Sequence, residues 1–272
     1  MRSMAMSTRE AAVTSVTYVP SRRPRALAWW SGAASVVLLG LVAARWEPLT
    51  ATDRAVADAT HASAVDSPVL VRISLVLTDW VWDPWTMRAF VAVAAVVLWR
   101  RGERWVAGRL AAVAVGAAVA QQALKAVVGR DRPRWPDPVD SAHFAAFPSG
   151  HAMTAAVTCG LLWWAAAVAG RRTAATGATR PRRAAAAGPA SVRWAAAAAA
   201  ASVRRAAGRM SARTVAVVGA VSAVGVGLTR VYLGVHWLSD VVGGWLMGAC
   251  LAAAAAAVPV RLAATGRAAR RP

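Results

Sequence analysis

Apolar residues run through this chain in long blocks, each closed by arginine or by a polar, proline-containing break. The blocks are Leu27–Ala44, Trp85–Trp99, Trp105–Val128, Ser149–Ala169, Thr214–Leu228 and His236–Val258. At about 1.5 Å per residue, stretches of this length cross or nearly cross a hydrocarbon layer of about 30 Å, so the pattern predicts six membrane spans. Between the first two blocks, Trp46–Pro84 carries Glu47, Asp53, Asp58, Asp66, Asp79 and Asp83 against Arg54 and Arg72. Its apolar content around Val69–Leu77 is too short and too charged to span. Short amphipathic helices at the outer interface are expected there, with Trp80, Trp82 and Trp85 in the aromatic belt. The acidic side chains of this segment, and His61 with no partner at metal-ligand spacing, read as solvated surface. The charged, proline-rich run Gly129–Phe147 cannot span, and Thr229–Val235 is expected to turn between the last two spans.

Composition agrees with an all-α integral membrane protein, since 58% of the 272 residues are hydrophobic and 16% are charged. The net charge of +20 does not point to nucleic acid, because the arginines sit in blocks between apolar segments rather than along one groove. Twenty-two of the 32 basic residues fall in four segments. These are the N-terminal leader, the Arg100–Arg104 turn, the Ala/Arg-rich connection at 170–213 and the tail. By the positive-inside rule all four face the cytoplasm, where they meet anionic lipid headgroups. The expected organisation is a disordered cytoplasmic leader at 1–26, a six-span domain at 27–260 with a cytoplasmic insertion at 170–213, and a basic cytoplasmic tail at 261–272. A cleaved signal peptide is the competing template for the first block, given its basic flank and the small residues Val42-Ala43-Ala44. Cys159 and Cys250 lie inside apolar blocks and read as small core residues. Arg109, near the inner end of the third span, is expected to snorkel to the headgroups.

That topology places three polar stretches at one outer face. In Pro148-Ser149-Gly150-His151 the proline fixes the backbone, Ser149 suits a helix N-cap, and Gly150 admits a close ligand, a combination that makes an anion site at a helix start. Lys125, the single lysine among the basic residues, ends the third span, with Arg132 just beyond it. Arg230 precedes His236 and Asp240. The last two are four apart on one helical face, where the carboxylate would hold one imidazole nitrogen and leave the other free for attack. Lys125, Arg132 and Arg230 would neutralise phosphoryl oxygens, and His151 would protonate the leaving oxygen.

Read together, Lys125-(six residues)-Arg132-Pro133, Pro148-Ser149-Gly150-His151 and Thr229-Arg230-(five residues)-His236-(three residues)-Asp240 resemble the motifs of the type 2 phosphatidic acid phosphatase (PAP2) superfamily. That superfamily also holds bacterial acid phosphatases and vanadium-dependent haloperoxidases. The resemblance implies a six-helix bundle of that type acting as a lipid phosphatase through a phosphohistidine at the extracytoplasmic face. It implies His236 as nucleophile with Asp240 behind it and His151 as acid, with phosphate held by Lys125, Arg132, Arg230, Ser149 and Gly150. Thr229 stands where the family usually has serine and keeps a hydroxyl for an additional contact. Undecaprenyl diphosphate, phosphatidic acid and phosphatidylglycerol phosphate are the implied substrates. No cofactor is expected, and no metal, because cations occupy the places where metal-dependent phosphatases put carboxylates. A vanadate-dependent haloperoxidase and an inactive lipid-binding protein are the alternative readings. The lipid phosphatase reading requires His151 and His236 on the same side of the membrane.

Overall fold

Each apolar block becomes a helix in the computed structural model, which describes residues 16–18, 20–179 and 212–262. A strand β1 (Val16–Tyr18) precedes helices α1 (Arg22–Ala43), α2 (Glu47–Val65) and α3 (Pro68–Val76). A π-helical turn over Leu77–Val81 follows, then α4 (Pro84–Arg100), α5 (Arg104–Val128) and α6 (Gly150–Thr179). Helices α7 (Ala212–Tyr232) and α8 (Leu238–Ala257) and a strand β2 (Val260–Leu262) complete the described chain. Six helical segments are long and apolar enough to cross a membrane. The architecture is the expected all-α bundle, with one short ribbon added.

Several boundaries differ from the sequence expectation. Helix α1 begins at Arg22 rather than Leu27, and the leader pairs before it, with Val16, Thr17 and Tyr18 opposite Leu262, Arg261 and Val260 in an antiparallel ribbon. The stretch expected to lie as separate interfacial pieces is helical from Pro68 and runs into the second span, broken only around Trp82-Asp83. There Asp83 caps α4 by accepting from the backbone N–H groups of Trp85 and Thr86, at 2.8 and 3.0 Å. Trp80 and Trp85 are exposed as a belt requires. Trp82 instead packs against Gly225 of α7, where a Cβ would meet its ring at 2.6 Å. Helix α7 continues to Tyr232, so Arg230 lies in its last turn rather than in a loop. Arg109 does not snorkel. Its guanidinium donates to the carbonyls of Ala255, Val258 and Pro259 and satisfies the C-terminal end of α8. The part of the 170–213 insertion beyond Thr179 and before Ala212, like the tail beyond Leu262, lies outside the described residues.

Helices α6 and α8 form the centre. More than half of each spanning window, 56%, is buried, against 28% or less for the other four. The outer helices accordingly present Trp29, Trp30, Val36, Val37, Val93, Val115 and Val119 outward, as lipid-facing surfaces do. Close approach of α6 to α8 depends on small residues. A Cβ on Gly244 would meet the Ser149 carbonyl oxygen at 2.8 Å and the Met153 nitrogen at 2.9 Å. One on Gly248 would meet the Met153 carbonyl oxygen at 2.8 Å. These obstacles are backbone atoms and cannot rotate away, so the pairing is the small-residue packing by which membrane helices associate.

Gly248→Ala should therefore force the two central helices apart and cost about 1–3 kcal/mol. Thermal unfolding in detergent would register this as a lowered Tm, whereas an unchanged Tm would show that the contact does not hold the bundle.

Candidate active site

The three polar motifs meet where α5, α6, α7 and α8 end on one face of the bundle. Backbone geometry joins the second motif to the third, since the Ser149 N–H donates to the Asp240 carbonyl at 2.9 Å. Helix α6 starts at Gly150 with Ser149 in the N-cap place, yet the Ser149 hydroxyl does not cap. Its Oγ is buried without a hydrogen-bond partner. Gly150 abuts Gln121 of α5, whose Nε2 lies 2.9 Å from where a Cβ would stand.

His236 and Asp240 form the expected pair. The imidazole Nδ1 lies 3.3 Å from Asp240 Oδ2, which also accepts from the Trp237 N–H at 2.9 Å. Arg132 Nη1 lies 3.1 Å from the other ring nitrogen, Nε2. A guanidinium can only donate, so this contact assigns the lone pair to Nε2 and the proton to Nδ1, facing Asp240. That is the tautomer of an imidazole ready to attack. His236 is buried, and burial first, then the charges of Arg132, Arg230 and Lys125, push it well below the ordinary imidazole range. It is neutral at physiological pH.

The cations converge on this pair. Lys125 is buried and donates to the Ala145 carbonyl. Arg132 donates to the carbonyls of Val235, Phe144 and His143 at 2.6, 2.9 and 3.1 Å. Burial, and then the neighbouring charge of Arg230, lowers its guanidinium to about 10. Arg230 is 4% exposed and donates through Nη1 to Asp140 Oδ2 at 3.2 Å, while its Nε is buried without a partner. His151 stands in the first turn of α6, within the fields of Arg230, His236, Arg132 and Lys125. The two histidines therefore lie on the same side. Thr229 is adjacent in sequence but directs its hydroxyl to the Val226 carbonyl of its own helix, at 2.8 Å. Among the described residues, no group of three or more His, Cys, Asp or Glu side chains gathers as metal ligands.

Sequence reasoning missed a second layer. Arg130 donates to Asp240 Oδ1 and to Asp53 Oδ2, both at 2.7 Å, and to Ser239 Oγ at 2.7 Å. Asp53, expected on a solvated surface, is 2% exposed. The sequence signal was weak, an arginine two residues before Arg132 and an acid among many. His61, also expected at the surface, is buried against Trp135 with ring centroids 4.0 Å apart, and its Nε2 lies 3.1 Å from Asp137 Oδ1. That hydrogen bond holds the Asp137 carboxyl below the usual range. Above the site, a cavity of about 540 Å³ is lined by Arg130, Arg132, Asp140, Ala145 and Val235 among others. His151 and His236 are not in its lining.

The model of the PAP2 superfamily matches residues 105–263, more than half of the chain. The chain belongs to the PAP2 superfamily. No curated protein matches it in sequence. Among solved structures it is similar to a transmembrane PAP2-type phosphatidylglycerolphosphate phosphatase from Bacillus subtilis. The TM-score is 0.61 at 19% identity, covering 85% of this chain and 92% of that one. The PAP2 match contains all three motifs and leaves out α1 to α4, so Asp53 reaches the PAP2 centre from outside the matched region.

The burial and surrounding charge of His236 set its titration. With labelled histidine, its imidazole should stay neutral as pH falls from about 7.5 to about 6, below the ordinary midpoint of about 6.5. An NMR titration, with the signal assigned by its loss in His236→Ala, checks this. A midpoint at or above about 6.5 would contradict the electrostatic picture.

Proposed function

We propose that this PAP2 protein is a membrane lipid phosphatase that cleaves a phosphoric ester or diphosphate on a lipid headgroup through a phosphohistidine on His236. Family membership and the shared fold support the broader statement, a membrane phosphoric-ester hydrolase. One observation carries the finer one. Lys125, Arg132 and Arg230 act on a neutral imidazole whose Nδ1 faces a carboxylate and whose Nε2 carries the lone pair, and Ser149 Oγ beside the first residue of α6 is buried and unpartnered.

Each group then has a role. His236 Nε2 attacks phosphorus and the bond to the leaving oxygen breaks, with His151 giving that oxygen its proton. Asp240 holds the Nδ1 proton and stabilises the positive charge that develops on the ring. Water next attacks the phosphohistidine, His151 recovers a proton from it, and phosphate departs. Lys125, Arg132 and Arg230, with Ser149 Oγ and the start of α6 at Gly150, stabilise the equatorial oxygens, each donor contributing on the order of 10²–10³ in rate. A contact from Thr229 would require its hydroxyl to turn from Val226. No metal takes part in this scheme. The arginine blocks support a topology with both termini in the cytoplasm and the centre at the extracytoplasmic face, where a headgroup would enter while its chains stay in the bilayer. Phosphatidylglycerol phosphate, phosphatidic acid and undecaprenyl diphosphate are the substrates to compare.

Purified protein should release phosphate from members of such a panel with chelator present, and His236→Ala should lower turnover by at least about 10⁴ while still folding. Undiminished release by that variant, or loss of activity on chelation, would reject the mechanism.

A further inference from the structure

Helix α2 sends Asp53 to the start of α8. Asp53 accepts from Arg130 Nη2 at 2.7 Å, from the Ser239 N–H at 2.9 Å and from Ser239 Oγ at 2.5 Å. Ser239 is the second residue of α8 and Asp240 the third, so Asp53 caps α8 from another helix while pairing with the arginine that holds Asp240. The guanidinium bridges two carboxylates through different nitrogens, and all three side chains are at most 14% exposed. Such a bridge fixes both the direction of Asp240 and its charge. Arg130 with Asp240 alone would be neutral and would cancel the field that His236 needs. With Asp53 included, the three groups carry one net negative charge, and Asp240 is the member that meets the imidazole.

We infer that Asp53, acting through Arg130, is a positioning residue for the nucleophile, in a relay that runs Asp53 to Arg130 to Asp240 to His236. This rests on the phosphohistidine reading above. The other charged or titratable groups facing His236 are Lys125 from α5, Arg132 from the loop, His151 from α6 and Arg230 from α7. All belong to the motifs. Asp53 and Arg130 lie outside the motif positions, and Asp53 also lies outside the matched family region. The relay makes the outer amphipathic helix part of the reaction's geometry rather than a surface decoration.

Asp53→Asn keeps the shape and an acceptor for Ser239 but removes the charge. Phosphate release should fall about 10²-fold in kcat with KM changed less than about threefold. The acid limb of the pH profile should move to lower pH, because losing one negative charge behind Arg130 disfavours the imidazolium. A wild-type pH profile, or a loss of rate that only follows the loss of folded protein, would overturn the relay. His236→Ala is the companion control. If it retains activity, the phosphohistidine reading fails; if it is inactive while Asp53→Asn matches wild type, only the relay fails. Should Asp53→Asn not yield monodisperse protein, Arg130→Lys takes its place, since it keeps the cation but cannot bridge both carboxylates. The same kcat loss at unchanged KM is expected of it, and wild-type kcat would contradict the relay.

Discussion

Two arginines and a lysine crowd one buried histidine at the end of this bundle, with a third arginine behind its aspartate, and the structure is arranged around the repulsion and desolvation that this creates. Taking such charges out of water is costly unless each finds a partner. Asp240 and Asp53 share Arg130, Asp140 takes Arg230, and backbone carbonyls take Lys125 and Arg132. Ser149 Oγ and Arg230 Nε remain buried and unpartnered. The proposed tetrahedral oxyanion would offer acceptors to both.

The fold serves this arrangement by letting two central helices approach until backbone nearly touches backbone. Gly244 and Gly248 make that approach possible, and the Ser149 to Asp240 hydrogen bond locks the start of α6 to the start of α8. Phe147 is fully buried against Gly243 and fixes the chain as it enters α6. Outer helices then need only a lipid-compatible surface on one side, which explains why α1, α4, α5 and α7 bury so little of their length.

Much of this was legible in the sequence because membrane solvent makes length and polarity unusually informative. Six apolar blocks became six helices long and apolar enough to cross a membrane, and the His236–Asp240 spacing gave a real pair because four residues make about one helical turn. Element ends were less legible. Arg22–Ala26 and Thr229–Tyr232 look like polar flanks, yet helices continue through them because their side chains reach the interface or the site. Least legible were Asp53, His61 and Arg130, whose hydrogen-bond partners are separated from them by 76 to 186 positions, the widest link being Asp53 to Ser239. Nothing in an acidic amphipathic segment says which of its carboxylates turns inward. That choice is made by the tertiary fold, through the partner waiting at the head of α8.

The central claim is that these distant residues share one anion with His236 as the attacking group. A structure of the protein with orthovanadate tests it directly, since that oxyanion accepts a fifth ligand as phosphorus does during displacement. The account predicts vanadium bonded to His236 Nε2, with its oxygens held by Lys125, Arg132, Arg230 and Ser149. Vanadate bound elsewhere, or seated among the cations with His236 Nε2 turned away, would contradict it.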